Sequence, residues 1–374
     1  MSDWKHYLKE ESEYQWLSFA AFAAIIIIGA ILIDWSSDLS GVRQGAIGAE
    51  DGMVIDKAGN AVLYRAEDGT HLKLDGIDST APFATCITEH QDITYACVGT
   101  PGELMVNEDQ YSAGEWRTMT LSSNLSILDV SGNKLALMMI VQDGTATTLA
   151  GVFLEESLTV SPLTQNEGDM HLTSIVAHGD GWIVGGSWQA PVNFLGSNPT
   201  SPPLYELVLK VTWDGVSAPT IEDTHIGGIG QIHSLISTDE GVIAAGTFSS
   251  LLITDSNYEL LDLTSSSAIA DDDGNVWFFG EVGSTTVALY EDGEIEVKKL
   301  PAPLQIQPQY AFNDQDGVIS VHGDTGALSI DTEARQSFTS LRGIMDLTFI
   351  LFSLTAVIMM LWNVADSIRT GEEF

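Results

Sequence analysis

The chain has 374 residues, ample for a sizeable core, and 44% of them are hydrophobic. Acids outnumber bases by 52 to 14, a formal net charge of −38. That balance argues against a nucleic-acid or anionic-lipid surface, since both need clustered Lys and Arg; it fits an acidic surface solvated in salt, or one that meets cations or basic partners.

Residues 1–15 read as a short N-terminal tail. From Trp16 to Ile33 the sequence W-L-S-F-A-A-F-A-A-I-I-I-I-G-A-I-L-I carries no charge and has the length needed to cross a bilayer. Tyr14, Trp16 and Trp35 sit at its ends, where an aromatic belt belongs. The run is long for a cleaved signal peptide and no small-x-small site follows it, so it reads as an uncleaved signal-anchor helix. A second uncharged run, L-T-F-I-L-F-S-L-T-A-V-I-M-M-L-W-N-V over 347–364, is bracketed by Asp346 and Asp366 and followed by a short tail, 365–374. Two transmembrane helices place both termini on one side of a cell membrane and residues 36–340 on the other. Lys5, Lys9 and Arg369 favour cytoplasmic termini, while Arg43, Arg335 and Arg342 pull the other way; long domains translocate largely regardless of such charge. The acidity favours an extracytoplasmic domain. Asn124-Leu125-Ser126 is the one glycosylation sequon, which makes Asn124 the candidate acceptor there.

Between the two runs the chain repeats itself. His171 opens H-L-T-S-I-V-A-H-G-D-G-W-I-V-G-G-S-W, and Gln231 opens Q-I-H-S-L-I-S-T-D-E-G-V-I-A-A-G-T-F. Each reads as strand, tight turn ending in Gly, strand, then Gly and an aromatic. S-A-I-A-D-D-D-G-N-V-W-F-F-G from Ser267 and A-F-N-D-Q-D-G-V-I-S-V-H-G from Ala311 follow suit. Upstream the unit is more worn, with pieces beginning at Ala46, Phe83 and Ser126. The turns fall at Gly52, near Gln91, and at Gly132, Gly181, Gly241, Gly274 and Gly317. That gives seven units averaging about 44 residues, inside the range of a four-stranded propeller blade. Leu204 to Asp214 reads as a third strand of its unit, with a turn ending at Gly215. Short β-rich runs joined by Asp-Gly turns are ordinary hairpin chemistry. The expected fold is all-β: a seven-bladed β-propeller of four-stranded blades, flanked by one N-terminal and one C-terminal transmembrane helix.

The Gly-rich stretch D-G-W-I-V-G-G-S-W, from Asp180, is therefore not a phosphate loop. No helix start follows it, and its pattern recurs where no nucleotide could bind each time. Its later glycines, Gly185 and Gly186, are expected to let the strand pass close to its neighbours. G-W-I-V-G-G-S-W-Q-A-P-V-N-F-L-G-S, followed by L-V-L-K-V-T-W-D-G, resembles the repeat of seven-bladed propellers of the SBBP and kelch-like type. S-T-D-E-G-V-I from Ser237 resembles an Asp-box but lacks its Thr-Trp ending. The resemblance covers about residues 43–340 and implies a fold and an exported setting, not an activity. Closing such a ring brings its first and last strands together, so both helices should leave from one region. Ala20, Ala24, Gly29 and Ala30 would give the first a small-residue stripe on which the second could pack. Either the segment from Ser36 to Val42 donates a strand to the last blade or the C-terminal strand closes it alone.

The site candidates are few. Cys86 and Cys97 flank a hairpin turn and lie opposite each other on paired strands; a cross-strand disulfide is one reading, two buried thiols the other. Asp271, Asp272 and Asp273, before Gly274 and Asn275, offer oxygens to a Ca²⁺ ion, but the spacing is not that of an EF-hand and a solvated turn is the preferred reading. His171, His178, His225, His233 and His322 recur near first and second strands without metal-site spacing. Arg43, Arg65 and Arg117 come from adjacent blades, as a carboxylate-binding cluster would. Trp116, Trp182, Trp188, Trp213 and Trp277 serve equally a sugar- or peptide-binding face or the packing between blades. No nucleophile elbow and no distinct carboxylate pair stands out, and no cofactor motif is present. The sequence thus points to a membrane-anchored, non-enzymatic module that binds another protein. A carbohydrate-binding or carbohydrate-active propeller is the first alternative and a ligand sensor the second; the short tails count against the sensor.

Overall fold

The repeats resolve into strands that pair almost entirely within their own unit. The structure is a computed structural model and describes residues 28–29, 44–46, 53–58, 61–66, 68–74, 77–80, 84–90, 93–107, 116–120, 125–133, 136–143, 146–153, 169–191, 202–214, 217–300, 302–315, 318–323, 325–331 and 348–355. Two compact units divide it: Gln44–Lys298 with Ala302–Ile330, and Met1–Arg43 with Lys299–Pro301 and Asp331–Phe374.

The first of these is the propeller. After β1 (Gln44–Ala46), blade one comprises β2 (Met53–Ala58), β3 (Ala61–Ala66), β4 (Gly69–Leu74) and β5 (Ile77–Thr80). Blade two comprises β6 (Ala84–His90), β7 (Ile93–Val98), β8 (Glu103–Asn107) and β9 (Arg117–Thr120). Blade three has three strands among the described residues, β10 (Ser126–Gly132), β11 (Ala136–Asp143) and β12 (Ala146–Phe153). Blade four is β13 (Asp169–His178), β14 (Gly181–Gln189), β15 (Leu204–Thr212) and β16 (Thr220–Ile229). Blade five is β17 (Ile232–Thr238), β18 (Gly241–Gly246), β19 (Ser250–Ile253) and β20 (Tyr258–Leu261). Blade six is β21 (Ser267–Ala270), β22 (Val276–Phe279), β23 (Thr286–Glu291) and β24 (Glu294–Lys299). Blade seven is β25 (Pro308–Gln315), β26 (Val318–Gly323) and β27 (Ala327–Asp331), completed by β1 as its outermost strand.

Closure is thus made by an N-terminal strand, with Gln44 opposite Ile330 and Ala46 opposite Leu328. The donor among the described residues is Gln44–Ala46; the segment from Ser36 to Val42 lies outside the described residues. This also corrects the first repeat. Ala46 and Met53 belong to different blades, and the inner hairpin of blade one turns between Ala58 and Ala61, not at Gly52. Asp51-Gly52 falls in the connection between blades, outside the described residues. The other six turns fall within two residues of where the sequence places them, at the inner hairpin of each remaining blade. In blade four the two turn residues are Gly179 and Asp180, with Gly179 at φ 59°.

Burial follows strand position. The second strands are apolar on both faces: Leu137, Met138, Met139, Ile140 and Val141 of β11 are all buried. So are Val276, Trp277, Phe278 and Phe279 of β22. A strand packed between two neighbouring sheets reads as a continuous apolar run, without polar alternation. The outermost strands are more exposed; Glu294–Lys299 is exposed along nearly its whole length. The cores accordingly lie between blades. Leu104, Val106 and Tyr95 of blade two pack with Val130 and Leu137 of blade three, and Met138 and Ile140 of blade three pack with Trp182 and Val184 of blade four.

In the second unit, residues 348–355 are helical, as are residues 28–29. Gly29 lies against Phe349, and a Cβ at Gly29 would overlap its ring. The remainder of the two predicted spans lies outside the described residues. Among the described residues no helix is long and apolar enough to cross a membrane.

Candidate functional site

Seven inner strands face one another around a central channel. Six of them, all but β21, shift register along their pairing with the second strand, five once and β25 twice, its second shift falling before Gln315. Such a bulge re-aims the side chain that follows it. The residues after the first shift are Asp56, Cys86, Asp129, Ser174, Ser234 and Tyr310. A cavity of about 1090 Å³ lies among inner strands, lined by groups that include Asp56, Ser174, Ser234, Ser237, Tyr310 and Phe312.

The ionisable groups here reach across to neighbouring blades. Asp56 Oδ2 accepts from the Ile87 amide of blade two at 2.7 Å, and its Oδ1 accepts from the Lys57 amide at 2.8 Å. Asp129 repeats the arrangement, accepting from the Ile175 amide of blade four at 3.0 Å and from the Val130 amide at 2.9 Å. Burial pushes the Asp56 carboxyl up to about 6. Burial, with the charge of Asp56 adding to it, pushes Asp129 up to about 7. The Tyr310 hydroxyl donates to the Ile55 carbonyl of blade one; burial and then the charges of Asp56 and Asp129 hold it above the usual phenol range. Lys57 pairs with Asp272, donates to the Ala311 carbonyl at 3.0 Å and lies 4.6 Å from the centre of the Phe312 ring. No His, Cys or Arg stands among the described lining residues. His233 Nδ1 lies 3.0 Å from the hydroxyl of the lining residue Ser234, while the Asp56 carboxylate is hydrogen-bonded into the ring.

The acidic turn of blade six is solvent-exposed at Asp272, Asp273 and Gly274, and its acids also anchor it. Asp271 is buried and accepts from the Asp273 and Asn275 amides, each at 3.0 Å, and from the Trp277 indole at 2.9 Å. Asp272 accepts from the Asn313 amide of blade seven at 2.7 Å, and Asp273 from the Asn313 side-chain amide at 2.6 Å. Among the described residues, no three His, Cys, Asp or Glu side chains come together as a metal site. The histidines are dispersed. His178 lies 3.1 Å from Asp255, His225 stacks on Tyr258, His322 meets the edge of Phe312, and His233 lies 3.0 Å from the Ser265 carbonyl. His171 is on the inner strand of blade four.

Arg65 is on the second strand of blade one and Arg117 on the outermost strand of blade two, while Arg43 is outside the described residues. Trp182, Trp213 and Trp277 are buried, and the Trp182 indole donates to the Ser131 carbonyl of blade three at 3.0 Å; these rings pack the blades. Cys86 and Cys97 are opposite each other in the register of blade two with Cα atoms 5.0 Å apart, inside the span a disulfide bridges. Asn124 is outside the described residues.

Glu206 is a buried carboxylate that, like Asp56 and Asp129, the sequence does not single out. Glu206 is 2% exposed and accepts from the amides of Phe248 and Ser249, at 2.7 and 3.1 Å, and from the Ser249 hydroxyl at 2.7 Å. Its signal was a lone charge inside the apolar run L-Y-E-L-V-L.

No family model and no curated protein matches the chain. Solved structures do. A chain in the mitotic checkpoint complex is 12% identical with a TM-score of 0.52, over 78% of this chain and 94% of that one. The β-propeller domain of Cps50 (Swd1) from Myceliophteria thermophila is 11% identical with a TM-score of 0.50, over 78% and 98%. At such identities the likeness shows the fold alone. The protein is a seven-bladed β-propeller.

Proposed function

We propose that the chain is a membrane-anchored propeller that presents a protein-binding surface outside the membrane and acts as a scaffold rather than an enzyme. The observation that carries the scaffold reading is the use of the channel's ionisable groups. Asp56, Asp129, Lys57 and Tyr310 all hold one blade to another, which makes a rigid ring with its acids held in structural bonds. Rigid platforms with ready-made surfaces bind partners at low ordering cost.

The anchor rests on the character of residues 348–355. Ile350, Leu351, Phe352 and Leu354 are each more than half exposed, so apolar side chains make up most of the open surface, beside exposed Thr348 and Thr355. Thr355 Oγ1 donates back to the Leu351 carbonyl at 2.7 Å, which satisfies the hydroxyl without water. A helix whose open surface is mostly apolar belongs in a protein core or a membrane. Gly29 receiving Phe349 fits two helices packed together through a small residue.

Crosslinked affinity capture of the full-length protein from its native membrane tests the scaffold. A partner recovered in near-stoichiometric amount is expected, and its absence refutes the reading. Alkaline extraction tests the anchor, since release of the protein with the wash would refute it. The cavity hydroxyls of Ser174, Ser234, Ser237 and Tyr310 favour one second reading, a polyhydroxylated ligand in the channel. A glycan array probed with the same protein decides that.

A further inference from the structure

Resting on the scaffold reading, we infer that the outer edge of blade four, together with Phe248 of blade five, is the docking surface, and that it takes an extended segment of a partner protein, basic at one end and apolar at the other. Phe248 is 58% exposed, yet it sits on a loop that is held from several sides. Glu206 receives the three hydrogen bonds of Phe248 and Ser249, and the Thr247 amide donates to the Gln231 carbonyl at 3.1 Å. The Phe248 ring lies on Gly228, where any Cβ would overlap it, and Gly246 leaves room for the Glu206 carboxylate. Burying a carboxylate is costly unless it is fully bonded. Here the buried charge fixes a loop whose most conspicuous product is an aromatic ring held in the open. A rigidly presented aromatic is the usual anchor of a binding hot spot.

The neighbouring edge continues the surface. Strand β16 is the outermost strand of its sheet, and its last residues, His225 to Ile229, hold no acid, lysine or proline. Ile226 and Ile229 are 45% and 64% exposed. Proteins guard open edges with charge or proline, as β24 does with Glu294, Glu296, Lys298 and Lys299. The unguarded half of β16 is thus open to a strand added along it. The guarded half carries Glu222 and Asp223, both exposed. Over the described parts of residues 169–261 there are ten acids and one base, Lys210. A second copy of this acidic chain would be repelled here, whereas a segment with Lys or Arg opposite Glu222 and Asp223 and apolar side chains opposite Ile226, Ile229 and Phe248 is complementary.

The test uses the full-length protein in neutral detergent and a set of immobilised short synthetic peptides. Each peptide has an apolar half, built from Leu, Val and Phe, and a charged half that is all Lys and Arg in one series and all Glu and Asp in the other. Binding of the basic series alone is expected. It should weaken about tenfold or more in Phe248→Ser and in Ile229→Ser. It should also weaken as salt rises from about 0.1 M to about 1 M, which cuts the screening length from ~10 to ~3 Å. Val297→Ser, at another exposed apolar residue on β24, should bind as the parent does. Equal binding of both series, binding that survives Phe248→Ser, or no binding of either series overturns the assignment. Loss of this surface while membrane capture still yields a partner removes the docking site and leaves the scaffold standing. An empty capture sinks the scaffold reading itself.

Discussion

Replacing Asp129 with Asn isolates what a buried carboxylate does to the ring. The group would ordinarily titrate near 3.8, and its surroundings hold it up to about 7. The folded chain therefore binds this proton more tightly than the unfolded chain does. The resulting stabilisation is fully present below the unfolded value, declines as pH rises between the two values, and is gone above the folded one. At about 1.4 kcal/mol per pH unit, the whole interval is worth about 4 kcal/mol, and roughly 3 of these fall between about pH 5 and pH 7. Asp129→Asn abolishes the titration. It keeps an acceptor for one of the two amides, Val130 or Ile175, and turns an NH₂ toward the other, a penalty of about 1–3 kcal/mol at every pH. The variant should be less stable than the parent near pH 5 and level with it or above it near pH 8. For a ring of this size 1 kcal/mol moves Tm by about 2 °C, so the Tm difference should swing by about 5 °C over that range. Self-repulsion from the net charge of −38 also weakens both proteins as pH rises, but it is common to both and cancels in the difference. Thermal unfolding of the two full-length proteins, buffered across the range, is the assay. Parallel Tm curves would refute the argument, because they would mean that Asp129 ionises as freely in the ring as in the unfolded chain.

Three further outcomes are expected. Cys86 and Cys97 should resist alkylation until reduced, and reduction should cost about 2–3 kcal/mol for so short a loop; two alkylated thiols in unreduced protein would show that they are free. Glu206→Ala leaves the Phe248 and Ser249 amides without their acceptor, so stability should drop by about 2–4 kcal/mol and hydrogen exchange at residues 247–249 should quicken; unchanged exchange there would mean that the loop is held by other contacts. Gly29→Ile should displace the Phe349 ring and cost about 1–3 kcal/mol, with Phe349→Ala added to it recovering part of the loss; strictly additive effects in a double-mutant cycle would rule out the contact.

The architecture was legible because hairpin turns leave a chemical mark. Asp-Gly or its equivalents recur at the inner hairpin of six blades, and the spacing gives the blade size. The first blade misled for the same reason, since Asp51-Gly52 lies between β1 and β2 and not within a hairpin. Nothing in Gln44–Ala46 announces a strand that pairs with β27 from the far end of the chain, because pairing across the whole sequence has no local signature. The paired cysteines were legible from strand alternation and turn position. The acidic run from Asp271 was legible as a turn, but not as an anchor: which acids are exposed depends on where Trp277 and Asn313 arrive, and that is a matter of tertiary structure. The apolar edge at Ile226 and Ile229 looked like any β-rich segment until its place as an outermost strand was known.

A ring of seven similar sheets has seven junctions, and each is tied by a polar bond, three of them a carboxylate accepting a backbone amide of the next blade. Asp56 joins blade one to two and Asp129 joins three to four. The Gly102 amide donates to the Leu125 carbonyl between two and three, and the Thr173 hydroxyl to the Ile232 carbonyl between four and five. His233 reaches Ser265, in the segment leading into blade six; Asp272 receives the Asn313 amide of blade seven; and Tyr310 closes the circle on Ile55. Several of these groups come from the register shift of an inner strand, which turns a side chain out of the pleat and toward its neighbour. These ties come at the expense of buried polar groups in the channel wall. This accounts for a channel wall rich in acids and hydroxyls. In such a ring the polar centre maintains the platform, and the proposed binding surface lies on the rim, where an exposed phenylalanine and an unguarded strand edge lie side by side.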